Sequence, residues 1–90
     1  MIDKEDVAEA IQLLEQAAAS TGEARDESWF RAWVQLVMAG LMAGVEPNPD
    51  EILSDAMVSA LRRAQEQGAL STEEMERGLG YVATILGAAA

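Results

Sequence analysis

The chain contains no cysteine and no histidine. The first absence excludes disulfides, thiolate nucleophiles and zinc-thiolate sites. The second excludes an imidazole base, a haem-ligating histidine and the Glu-x-x-His pairs of di-metal helical bundles. Positive charge is also scarce, with 6 Lys and Arg against 16 Asp and Glu, a formal net charge of −10. That balance argues against direct nucleic-acid binding, which needs a basic face. Aromatic side chains are few, at two Trp, one Phe and one Tyr. No apolar run approaches the ~20 residues a bilayer requires. The longest, from Ala32 to Val45, is broken by Gln35. The start, Met1-Ile2-Asp3-Lys4-Glu5-Asp6, lacks the basic-then-apolar order of a signal peptide. These features predict a cytoplasmic protein with no membrane contact.

What is present suits one small folded unit. Ninety residues, half of them apolar, fit a single helical domain over 1–90. Seventeen of the apolar residues are alanine, so the large-residue core is modest. A chain of this size is marginally stable alone, which favours self-association.

Punctuation marks four helices. Asp3 caps the first, with Ile2 and Val7 placed as a hydrophobic staple, and Gly22 ends it. Asp26 is read as the cap of the second, which stops before Gly44. Asn48-Pro49-Asp50-Glu51 opens the third with a capping box and a proline at the first helical position, and Gly68 stops it. Ser71-Thr72-Glu73-Glu74 is a second capping box, stapled by Leu70 and Met75, and the fourth helix fades at Gly87. Apolar spacing agrees: Val7, Ile11, Leu14 and Ala18 share one face of the first helix, and Met75, Leu79, Val82 and Leu86 one face of the fourth. No segment alternates with period two. The expected fold is all-α, a compact antiparallel four-helix bundle with helices at about 4–21, 27–43, 49–67 and 72–86. The capping is as regular as in a designed chain, whereas Gly78, Gly80 and the single lysine are not.

Candidate chemistry is thin. Nine of the acids fall at predicted helix starts (Asp3, Glu5, Asp6, Asp26, Glu27, Asp50, Glu51, Glu73 and Glu74), where free N–H groups and the helix dipole favour them. Capping therefore accounts for most of the charge, and nucleic-acid mimicry is a minor alternative. Glu46, Asn48, Asp50, Glu51 and Asp55 cluster oxygen ligands, but Pro47 and Pro49 break the spacing of a calcium loop, so no metal site is assigned. Glu15, flanking the first apolar stripe, is the best isolated general base and has no paired carboxylate. Size and acidity are similar to those of acyl carrier proteins, yet their Asp-Ser-Leu triplet is missing, since Ser54 precedes Asp55. Arg62 and Glu66 are spaced for a surface ion pair. No cofactor and no catalytic residue are assigned.

The second helix is apolar nearly all round, which implies a partner. Phe30, Val34, Met38, Leu41 and Met42 are the candidate partner interface, suited to a second copy or a basic protein. Trp29, Trp33 and Leu36 form the opposing candidate, a Trp-walled ligand pocket. The function expected is a small acidic, non-catalytic protein-binding module that self-associates through helix two: an adaptor, an antitoxin or immunity protein, or a phage-type inhibitor of a basic enzyme. The alternative is a helical small-molecule binder.

Overall fold

Four α-helices make up the fold in the computed structural model, which describes residues 2–41 and 55–89. They are α1 (Lys4–Ala18), α2 (Gly22–Met38), α3 (Asp55–Glu66) and α4 (Thr72–Ala89). No strand occurs among the described residues. The chain is an all-α four-helix bundle. Its radius of gyration is 11.7 Å, close to the ~12 Å of a compact chain of this length.

Capping explains most helix boundaries. Asp3 Oδ1 accepts the Glu5 amide at 2.9 Å and starts α1, with Ile2 packed on the core beside buried Val7. At α4 the predicted box is complete. Ser71 Oγ accepts the Glu74 amide and Glu74 Oε1 accepts the Ser71 amide, each at 3.0 Å. Leu70 is buried and Met75 packs against the core, as the staple requires. Gly68 ends α3 at φ 78°. Its amide reaches the Gln65 carbonyl and the Ala69 amide reaches that of Ala64, the pattern of a Schellman stop.

The ends of α2 differ from the sequence expectation. The helix starts at Gly22, after Thr21 in extended conformation, and not at Asp26. Thr21 makes no side-chain cap bond. Glu23, Ala24 and Arg25 are good helix formers, and extending the helix back through them gains a hydrogen-bonded turn. Asp26 and Glu27 therefore lie in the second turn, beyond the free N–H groups they were expected to cap. The helix also stops earlier, at Met38, because Gly40 takes φ 83°. The Gly40 amide bonds Val37 and the Leu41 amide bonds Leu36, another Schellman stop. Gly87 does not take positive φ, so α4 runs on to Ala89 instead of fading at 86. The α1 end is likewise shorter than expected, at Ala18 with Ala19 as cap. The box at Asn48–Glu51 lies outside the described residues.

Each short link, residues 19–21 and 67–71, folds a helix pair into a hairpin. The α1–α2 interface is the largest, and α4 packs on both α1 and α3. One core joins Leu14, Leu36, Leu41, Met57, Leu61, Val82 and Ile85 from all four helices and the end of α2. Arg63 of α3 donates from Nη1 to the Leu41 carbonyl at 2.8 Å, fastening α3 to the C-terminal end of α2. The ion pair among the described residues is Arg25 to Asp26 at 3.2 Å, and Arg62 forms none with Glu66.

Candidate functional site

Helix α2 carries both candidate surfaces, on opposite sides. Trp29, Ala32, Trp33 and Leu36 recur at spacings of three and four and are the buried residues of the helix. Trp29 and Trp33 are each 5% exposed and Leu36 is fully buried, so all three belong to the core cluster. Among the described residues neither indole Nε1 has a hydrogen-bond partner. A buried N–H left unpaired costs about 1–3 kcal/mol, so these two donors stand out in the largely apolar core.

The other side of α2 faces outward. Phe30 is 46% exposed and Met38 66%, and half-buried Val34 lies between them at four-residue spacing. Phe30 also stacks on Trp33 with ring centroids 6.1 Å apart, so its ring is held over the helix surface. The five predicted interface residues do not stay together. Leu41 turns inward past Gly40 and is buried at 2%. Met42 lies outside the described residues. Phe30, Val34 and Met38 remain as a stripe about 12 Å long, eight residues at 1.5 Å each.

Two charged residues share this face: Glu27, expected only as a helix-start acid, and Glu23, which the start expected at Asp26 left outside the helix. Glu23 and Glu27 precede Phe30, Val34 and Met38 at spacings of four, three, four and four. All five positions therefore lie along one side of the helix. Glu23 and Glu27 are exposed and form no ion pair among the described residues. The signal was the same helical spacing that exposed the stripe, hidden by placing the helix start at Asp26.

A polar groove of about 210 Å³ separates α1 from α2, lined by Glu9, Gln12, Leu13, Gln16, Arg31 and Gln35. The Gln35 Oε1 inside it is buried and unpartnered. Glu15 is exposed and borders a neighbouring hollow with Gln12, Gln16 and Ala19. Glu74 is held below its ordinary pKa of 4.5 by the Ser71 backbone and hydroxyl hydrogen bonds. That is capping chemistry at a solvent-facing helix start. Among the described residues no group of three or more acids could hold a metal ion, and no helix is long and apolar enough to cross a membrane. The Glu46–Glu51 acids and Ser54 lie outside the described residues, as does the Asp55 side chain. No protein family, curated protein or solved structure matches the chain.

Proposed function

We propose that this chain is a small acidic, non-catalytic protein-binding module that acts in the cytoplasm and docks through the outward face of α2. The observation that carries this reading is the exposure of Phe30 and Met38 on one helix face, the two large apolar side chains most open to water among the described residues. Apolar groups ordered at helical spacing in the open favour a protein partner over solvent. Adaptors, antitoxin or immunity proteins and inhibitors of basic enzymes are the roles such a module fills. A second copy of this chain, seated on the same stripe, is one form the partner can take.

Light scattering across a concentration series tests that form. A dimer that Met38→Lys converts to a folded monomer supports it. A monodisperse wild-type monomer at high concentration, with Met38→Lys unchanged in stability and in every partner assay, overturns docking through this face.

The unpaired indole N–H groups favour a second reading, a small ligand bearing a hydrogen-bond acceptor and lodged against Trp29 and Trp33. Tryptophan emission during titration with aromatic carbonyl compounds checks it. A saturable shift lost in Trp33→Phe supports the ligand, and an unchanged spectrum removes it.

A further inference from the structure

We infer that the partner seated on the outward face of α2 is a cationic amphipathic helix of another protein rather than a second copy of this chain. The inference rests on the docking role proposed above and names the chemistry of the occupant.

The argument is one of charge along a single line. The docking line runs from two carboxylates, Glu23 and Glu27, into three apolar groups, Phe30, Val34 and Met38. Because α2 starts at Gly22, Glu27 is past the helix start and has no capping role. Arg25 is already paired with Asp26, and Arg63 is committed to the Leu41 carbonyl. Neither Glu23, in the first turn of α2, nor Glu27, with Arg31 one turn beyond it, forms an ion pair among the described residues, so both carboxylates are open to an outside cation.

A second copy matches this line badly in either direction. Run parallel, the two helices set Glu23 and Glu27 against the same pair, and like charges face each other. Run antiparallel, each carboxylate pair comes against the partner's Met38 end and loses water without gaining a counter-charge. Either way two chains of net charge −10 are brought together. A foreign helix with an apolar stripe and Lys or Arg one turn beyond it satisfies both halves of the line. Packed antiparallel, it carries those cations at its own C-terminal end, where its dipole also favours them.

Three synthetic helical peptides about 18 residues long, roughly five turns, test this. They share one leucine stripe and differ in the residues at its C-terminal end: Lys, Gln or Glu. Binding to the full chain is read by fluorescence anisotropy at low and high salt. The Lys peptide is expected to bind tightest and the Glu peptide not at all, with affinity falling as salt rises. Glu23→Gln with Glu27→Gln should weaken the Lys peptide about two- to fivefold per carboxylate. Met38→Gln should weaken all binding, and circular dichroism confirms that each variant folds. Glu66→Gln with Glu76→Gln, which removes the same charge from exposed positions on α3 and α4, should leave affinity unchanged. Equal losses from the two carboxylate pairs would mean unspecific attraction and overturn the inference. Absence of peptide binding, together with a dimer broken by Met38→Lys, would overturn it in favour of a second copy while docking through α2 stands. Neither peptide binding nor association would overturn both.

Discussion

Gly78 and Gly80 lie two residues apart in α4 and meet opposite surroundings. A Cβ at Gly78 would come within 2.8 Å of Ile11 Cδ1 and 3.3 Å of Leu61 Cδ1, so the missing side chain lets α4 settle onto α1 and α3. A Cβ at Gly80 would meet nothing within 4 Å. Gly80→Ala is therefore expected to stabilise the fold by about 0.5–1 kcal/mol, the helix-propensity difference. Gly78→Val is expected to destabilise it by about 1–3 kcal/mol through overpacking. Urea denaturation of both variants checks the pair, and equal effects would contradict the packing described. The sequence places Gly78 beside the stripe of Met75, Leu79, Val82 and Leu86 and Gly80 away from it, by helical spacing alone. It did not show which side chains fill the space at Gly78, because Ile11 and Leu61 reach it from different helices.

At the scale of the element, helix ends were legible where the side chain itself makes the bond and illegible where the backbone alone makes it. The Ser71–Glu74 box is local chemistry, and it forms as its spacing predicts. Ser71→Ala should cost about 1 kcal/mol at neutral pH, measured by thermal or chemical unfolding. The Glu74 contribution has a definite pH sense. The folded protein holds its pKa below 4.5, so the ionised form is favoured by folding. The stabilisation is present above pH 4.5 and is lost as pH falls through the lower folded value. Glu74→Gln should therefore destabilise at pH 7, and the gap to wild type should close in acid. The start of α2 had no such signature. Thr21 forms no side-chain bond, so the cap expected at Asp26 does not form, Glu23 falls inside the helix and Glu27 lies past its first turn. At the other end Gly44 was the expected stop, and the helix ends earlier, before Gly40. The burial of Leu36 and Leu41 beside Gly40 favours the earlier one.

The whole molecule adds what no single helix contains. Arg63 is a surface cation by sequence, yet its guanidinium bonds the Leu41 carbonyl and joins α3 to the end of α2. Arg63→Gln is expected to lose about 1 kcal/mol, more than Arg62→Gln, since hydrogen bonds of this kind contribute about that much. Comparison of the two denaturation midpoints decides it. Net charge acts at the same scale. With 16 acids and 6 bases, repulsion among carboxylates opposes the compact state. The melting temperature should rise as salt increases from low ionic strength toward about 0.15 M, where the screening length shortens to ~8 Å. A flat or falling response in differential scanning calorimetry would show that the charges are already balanced locally.

The sequence by itself determined the number of helices, the N-caps of α1 and α4, the stop at Gly68 and the apolar face of α1. Each is a local matter, fixed by hydrogen bonds within a turn or by spacing along one helix. Only the tertiary structure decided which side of α2 is covered. From Trp29 to Met38 that helix is apolar except at Arg31 and Gln35, so periodicity could not choose among its sides. Packing against α1 and the common core buried Trp29, Trp33 and Leu36 and drew Leu41 inward. Phe30, Val34 and Met38 were left outward beside Glu23 and Glu27. The division follows from what burial requires: a helix can advertise an apolar surface alone, but only its neighbours set how much of it remains exposed to water.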